Sequence, residues 1–251
     1  MLTAERRQYI LNVLRRDGKV VARQLSEELN LSEDTIRRDL RDLDGDGLLQ
    51  RVHGGALPCA PATPTFKVRQ EQLSQAKLAI AQAAAQMVRD GQVVILDGGT
   101  TNVQVARHLS PELHATIITN SPPLAEALEG HPHVEVVMLG GRLYKHSLVT
   151  VGAPALEALR MIRADLYMPG ICSVHPEIGM SAENLEESYI QRAMIACSAE
   201  VIALVSPEKL NKAYPYIITP LSELTEIITE RSVPDEMLEP YRVLGLTITR
   251  A

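Results

Sequence analysis

The sequence predicts an α/β protein in two parts: a small module of three helices and a β-ribbon wing, then a larger α/β domain on a mostly parallel sheet. Three observations carry that expectation. Short amphipathic helical stripes crowd residues 3–45, three prolines fall within residues 58–64, and from residue 76 onward short aliphatic runs alternate with helical patterns. At 251 residues the chain is long for one compact domain. Its 45% hydrophobic content, with 3% aromatics and no Trp, suits an interior of Ala, Leu, Ile and Val. The expected boundaries are 1–57 for the first domain, 58–75 for a linker and 76–251 for the second.

Residues 3–16 read as a helix, with Thr3 as N-cap, Ile10, Val13 and Leu14 on one face, and Asp17-Gly18 as the stop. Ala22, Leu25 and Leu29 make a second, shorter stripe. Asn30-Leu31 turns the chain, and Ser32 caps a third helix whose inward stripe is Ile36, Leu40 and Leu43, ending at Gly45 or Gly47. Residues 48–56, interrupted by Gly54-Gly55, suit a two-strand wing, which completes a winged helix-turn-helix layout. Beyond the proline-stiffened linker, 75–88 is an Ala-rich helix. Strands are expected at 93–96, 116–118, 134–138, 166–168 and 201–205, with helices at 101–109, 123–128, 153–162 and 185–196 among them.

Composition excludes several functions. No apolar stretch approaches the roughly 20 residues that span a bilayer, and the N-terminus lacks a basic-then-apolar signal pattern, so a cytoplasmic protein without a membrane partner is expected. Cys59, Cys172 and Cys197 are isolated thiols without a Cys-x-x-Cys pair. His131 and His133 flank Pro132 with no acidic or Cys neighbour, a polar loop in place of a metal site, and no metal or cofactor is expected. Net charge is -6, the wrong sign for holding nucleic acid by bulk electrostatics. Residues 1–57 hold ten Lys and Arg against ten Asp and Glu, so the acidic surplus lies entirely in 58–251. Any DNA affinity must come from where the arginines point.

With Ile36, Leu40 and Leu43 buried, the 3.6-residue period puts Glu33, Asp34, Arg37, Arg38 and Arg41 on the outer face of the third helix. Ser32 and Thr35 sit at its first turn, where free N–H groups and hydroxyls suit a backbone phosphate, and Arg suits phosphate or the acceptor edge of guanine. Arg51 and His53 on the wing reach the adjacent backbone. The competing reading is a solvated charged face on which Asp39, Asp42 and Asp44 pair with these arginines.

The run Ser32-Glu-Asp-Thr35-Ile-Arg37-Arg38-Asp39-Leu40, followed by Leu43, Gly47-Leu-Leu and Arg51-Val-His53-Gly54-Gly55-Ala56, resembles the helix-turn-helix signature of the DeoR family of sugar-metabolism repressors. The resemblance implies that the third helix enters the major groove with Ser32, Thr35, Arg37 and Arg38 on DNA, and Asp39 in a structural role.

In the second domain, residues 93–96 run into Asp97-Gly98-Gly99-Thr100-Thr101 and a helix. Glycines that permit close backbone approach, a helix N-terminus and hydroxyls together suit an anion such as phosphate, although a plain strand-to-helix turn reads the same way. The loop is neither Gly-x-x-x-x-Gly-Lys-Ser/Thr nor Gly-x-Gly-x-x-Gly, which disfavours nucleotides. Thr119-Asn120-Ser121, Gly140-Gly141-Arg142 and Val151-Gly152 follow in an order that resembles the DeoR-family sensor domain, whose fold is similar to ribose-5-phosphate isomerase. That resemblance implies a small phosphorylated sugar held by Asp97, Gly99, Thr100, Thr101, Asn120, Gly141, Arg142 and Lys209. Two segments depart from the family pattern. Ser206-Pro-Glu-Lys209 stands where the family often has Asp-x-Ser-Lys, and residues 169–179 are more elaborate. Lys209 reads equally as an anion partner or as a surface lysine with a buried stem.

The expected function is a sequence-specific transcriptional repressor without catalysis. Its expected partners are double-stranded operator DNA, a small anionic metabolite and further copies of itself, in a dimer or tetramer. The alternative is a sugar-phosphate isomerase-like enzyme fused to a DNA-binding module. An isomerase needs a carboxylate base; Ser206 removes one candidate, and Asp97, Asp165 and Glu177 remain.

Overall fold

The computed structural model describes residues 2–58, 62–72 and 74–251, with the Arg15 side chain left aside. Cys59 and the middle of the 58–64 segment lie outside the described residues. The chain divides into two compact units, Met1–Ala62 with Asn211–Pro215, and Thr63–Leu210 with Tyr216–Ala251.

The first unit runs α1 (Thr3–Asp17), β1 (Val20–Val21), α2 (Ala22–Leu29), α3 (Glu33–Gly45), β2 (Gln50–Val52) and β3 (Gly55–Leu57). The three apolar stripes read from the sequence meet: Ile10, Val13 and Leu14 of α1, Leu25 of α2, and Ile36, Leu40 and Leu43 of α3 close one core with Leu49 and Ala56. Leu2, in place of Thr3, is the extended residue before α1, and Asn30 ends α2 in the left-handed conformation (φ 51°). The wing is the β2–β3 hairpin, turning at His53-Gly54. It gains a third strand, because Val20 pairs with Ala56 and makes the order β1-β3-β2.

The second unit opens with α4 (Phe66–Glu71) and α5 (Gln75–Ala85). Residues 66–71 were expected as linker. They form a helix because Phe66 is buried (3% exposed) in the apolar cluster beneath α5, a tertiary gain that outweighs the segment's weak helical pattern. The chain continues through β4 (Val93–Leu96), α6 (Thr100–His108), β5 (Ala115–Thr119), α7 (Pro122–Ala127) and β6 (Val134–Met138). A hairpin of β7 (Arg142–Tyr144) and β8 (Val149–Val151) precedes α8 (Ala153–Arg160) and β9 (Ala164–Met168). Next come β10 (Ser173–His175), β11 (Gly179–Ala182), α9 (Leu185–Ala196) and β12 (Ser198–Leu204). The last elements are β13 (Tyr216–Thr219), β14 (Glu226–Thr229), α10 (Asp235–Val243) and β15 (Thr247–Arg250).

Seven strands form one sheet in the order β15-β14-β12-β9-β4-β5-β6, every neighbouring pair parallel. A parallel sheet is covered on both faces, and alternation along the strands shows how. Val94, Leu96, Leu166 and Met168 point into a cluster with α5, α6 and α7; Ile95, Tyr167 and Val201 point the other way, toward α8, α9 and α10. All five expected strands are present. β14, β15 and α10 were not anticipated, nor were the β7–β8 hairpin and the small β10-β11-β13 sheet. Among the described residues no helix is long and apolar enough to cross a membrane.

Candidate functional site

On α3, Asp39, Asp42 and Asp44 turn away from the arginines of their own helix. Asp39 is buried (2% exposed) and binds Arg6 through both oxygens, with Nη2–Oδ1 at 3.1 Å, and Arg7 Nε at 3.3 Å. Asp42 pairs with Arg7, and Asp44 accepts the backbone N–H of Arg51 at 3.0 Å, which ties the wing to the helix. Arg37 is held only by exposed Glu33 one turn back (2.7 Å). Arg38 and Arg41 are exposed and have no ion-pair or hydrogen-bond partner among the described residues. Ser32 caps the helix, its Oγ accepting Thr35 N–H at 3.2 Å and meeting Thr35 Oγ1 at 2.8 Å. A groove of about 300 Å³ between α3 and the wing collects Arg37, Arg41, Arg51 and His53. All six expected DNA residues thus lie on α3, its cap or its groove with the wing. Arg38 stands on the open face, and Arg41 joins them.

In the second unit the strand order reverses at β4: the chain steps through β5 and β6 on one side and through β9, β12, β14 and β15 on the other. The carboxyl ends of β4 and β9 therefore flank the crevice where open α/β sheets take ligands. Asp97 sits there at 3% exposure. It accepts Gly98 N–H (2.7 Å), Gly170 N–H (2.9 Å), Gln191 Nε2 (2.7 Å) and Tyr167 OH (3.3 Å). Burial pushes its carboxyl pKa up, against the pull of those donors. Asp97 is thus a strut joining β4, β9 and α9. The approach is tight: a Cβ on Gly170 would lie 2.1 Å from Gly98 O.

Gly99 leads into α6, where the first-turn N–H groups of Thr100 and Thr101 have no carbonyl one turn back to bond. Asn120 is buried after β5, its Nδ2 on Thr150 O at 3.3 Å. Asn102 Oδ1, Asn120 Oδ1, Ser121 Oγ and Gln191 Oε1 are buried without a hydrogen-bond partner. Asn102 donates to Asp97 O and Met168 O, and Gln191 donates to Asp97 and Gly170 O, so two of the four orphans are anchored to the switch point. Buried polar atoms left so demand a polar ligand or water.

Gly141 serves the β7–β8 hairpin, where a Cβ would come within 2.5 Å of Val151 O. Arg142 pairs with Glu186 of α9, both side chains exposed. Lys209 ends a 3-10 turn (Pro207–Lys209) after β12 and is half-buried, not a surface lysine. Burial, with Arg69 and Lys77 nearby, lowers its pKa to about 8, against the opposing pull of Cys172 and Glu208. Burial and the charge of Asp97 lift Glu187 to about 7. Arg69, Lys77, Asn102 and Gln191 were not singled out from the sequence; Arg69 lay in the presumed linker, and the others lay within helices without a motif. Of the candidate isomerase bases, Asp97 is engaged by four donors, Asp165 accepts Val93 N–H (2.8 Å) at the amino ends of the strands, and Glu177 lies in the β10–β11 turn. His133 stacks on His114 with ring centroids 4.4 Å apart, and no group of three His, Cys, Asp or Glu among the described residues could hold a metal.

Residues 6–61 match the family model of the DeoR-like helix-turn-helix domain, and residues 72–231 that of the DeoR C terminal sensor domain. The HTH-type transcriptional regulator GlpR of Haloferax volcanii is 32% identical over 251 residues, covering 99% of this chain and 98% of that protein. The HTH-type transcriptional repressor GlcR of Bacillus subtilis is 33% identical, covering 92% of this chain and 90% of its own. The lactose phosphotransferase system repressor of Lactococcus lactis is 30% identical, covering 92% of each. Among solved structures, ribose 5-phosphate isomerase A of Methanocaldococcus jannaschii overlaps 53% of this chain and 52% of its own, at 19% identity and a TM-score of 0.39. By both family models and by relatives matched over nearly its whole length, this chain belongs to the DeoR family of transcriptional regulators.

Proposed function

We propose that the protein is a repressor of a carbohydrate operon whose affinity for double-stranded operator DNA is set by a small phosphorylated sugar. The first unit reads DNA and the second senses; of the expected 58–75 connection, α4 packs into the sensing unit through Phe66. The observation that carries the reading is the use of acid on α3: Asp39, Asp42 and Asp44 are spent on α1 and the wing, so Arg38 and Arg41 face outward unneutralised. Ser32 and Thr35 meet phosphate at the helix start, Arg37 and Arg38 reach base edges, and Arg51 and His53 follow the backbone. The sugar phosphate occupies the crevice at Asp97, Gly99, Thr100, Thr101 and Asn120, with Lys209 on its charge. Arg142, tied to Glu186, contributes at most to the rim. With Asp97 held by four donors, the carboxylate at the strand ends is not free to act as a base, and the protein senses its ligand without turning it over. One small neutral reading module holds DNA weakly, so copies act together on half-sites about one helical turn, roughly 34 Å, apart. The setting for this work is the cytoplasm.

An operator selected from a random duplex pool provides the test. Arg38→Ala weakens it by about 1 to 3 kcal/mol at matched salt if Arg38 holds a guanine, with the fold intact, and a sugar phosphate changes wild-type affinity. Unchanged affinity in both Arg37→Ala and Arg38→Ala sinks the DNA assignment, and a full panel of sugar phosphates without effect sinks the sensing one.

A further inference from the structure

The charges around Lys209 do not balance. Arg69 on α4 and Lys77 on α5 both press their charge on Lys209 in a partly buried place. Lys77 leans on Glu208 at 3.5 Å, whose own carboxylate also takes Ser206 Oγ at 2.7 Å. Glu187 faces Arg69 from α9, but burial and Asp97 leave it only about half ionised at pH 7. Cys172, which feels the charges of both Glu187 and Lys209, is held as a thiol, its pKa lifted by burial to about 11. Arg69 Nε is buried with no hydrogen-bond partner. A guanidinium N–H orphaned near the Lys209 ammonium marks a place short of an anion with several acceptor oxygens.

The position of Arg69 adds a second consequence. It stands on the first helix of the sensor unit, which begins at Thr63. That entry is anchored at two points: Thr63 N–H meets Glu183 Oε2 at 3.2 Å, and Phe66, buried, has its N–H on His146 O at 2.8 Å. Phe66 and Gln70 also share a small pocket of about 80 Å³ with Thr100 at the start of α6. Arg69 and Lys77 both repel Lys209; an anion among them turns that repulsion into a shared attraction and draws α4 inward.

We propose that Arg69, Lys77 and Lys209 clamp the phosphoryl group of the effector, and that Arg69 transmits its occupancy to the segment leading to the DNA-binding domain. This rests on the phosphosugar reading above and adds the residues that hold the charge and the element that moves.

Sulfate is the probe, since it carries two charges and does not titrate near pH 8. Calorimetry on the full chain should show sulfate binding with proton uptake at pH 8 as Lys209 recharges. Arg69→Gln and Lys77→Gln should each weaken sulfate at least tenfold, Arg69→Lys should retain binding within a few-fold, and Arg160→Gln on α8 should bind as wild type does. Hydrogen exchange of residues 63–72 should slow when sulfate binds. Absent sulfate binding in the wild type, or equal affinity in Arg69→Gln and Lys77→Gln, overturns the clamp; unchanged exchange at 63–72 in the bound protein overturns the transmission. If sugar phosphates release operator from wild type and Arg69→Gln at the same midpoint, the clamp falls and the regulatory reading stands. If sulfate depends on Arg69 but no sugar phosphate alters operator binding, the regulatory reading falls and the clamp stands.

Discussion

Asp39→Ala tests how the reading helix is held. Asp39 is 3% exposed at its side chain, and Arg6 is 11% exposed. Three charge-assisted contacts converge on the carboxylate, two from Arg6 and one from Arg7. At about 1.5 to 3 kcal/mol each they would total far more than is realised, because contacts that share one group are not additive. Arg7 also keeps Asp42 as a partner after the truncation. Removing one member of a buried pair costs about 3 to 5 kcal/mol, chiefly by stranding Arg6. A domain of this size is stable by roughly 3 to 9 kcal/mol, so the substitution should consume most of its margin. Denaturant-dependent hydrogen exchange of the full chain reads the two units separately. Amides of α3 should lose protection by that amount while β4 amides keep theirs, operator binding should fail at 37 °C, and sulfate binding should persist. Asp39→Asn, which keeps one acceptor, should cost about half. A loss at α3 under about 1 kcal/mol in the Ala variant would refute the argument that this ion network fixes the helix.

Glu187 supplies a prediction on pH. Its folded pKa of about 7 exceeds the model-compound value of 4.5, so the unfolded state ionises first and stability falls as pH rises from 4.5 to 7. Glu187→Gln should therefore equal wild type at pH 4.5 and exceed it by about 3 kcal/mol at pH 8; equal melting at both values would count against its burial beside Asp97. Gly170→Ala forces a Cβ to within 2.1 Å of Gly98 O, a backbone atom that cannot step aside, whereas Gly130 has open space. The first should destabilise the sensor unit by about 3 kcal/mol or more and the second by less than about 1, measured by chemical denaturation; similar losses would show that the switch point tolerates expansion.

What the sequence made legible follows from how local each signal is. The residues 185–196 helix is found over that span because Asn184 caps it, accepting Glu187 N–H, and its apolar residues repeat at helical spacing. The buried strands announce themselves as aliphatic runs. β1 escapes notice because two residues carry no period, and α10 because Pro240 interrupts its pattern. β15, Thr-Ile-Thr-Arg at the sheet edge, lacks the continuous apolar run of its neighbours. In the crevice, the Gly-rich loop and Asn120 are local and were visible. The partner that draws Arg142 to the surface is 44 residues away, and Arg69 gains meaning only when α4, α5 and the turn after β12 are folded together. Pairing across such distances leaves no mark on spacing.

The inward use of acid by α3 also shapes how the protein meets a polyelectrolyte. Each phosphate that an arginine neutralises frees condensed counterions, and the logarithm of affinity falls by about 0.9 per contact for each decade of salt. With Arg37, Arg38, Arg41 and Arg51 on DNA, one reading head would carry a slope on the order of -3 to -4, so doubling monovalent salt would cost it roughly tenfold. Had Asp39, Asp42 and Asp44 faced outward, the same composition would have bound DNA with little dependence on salt and little strength. A module of zero net charge thereby acquires the ionic sensitivity of a basic one, and operator occupancy becomes a function of the cell's ion content.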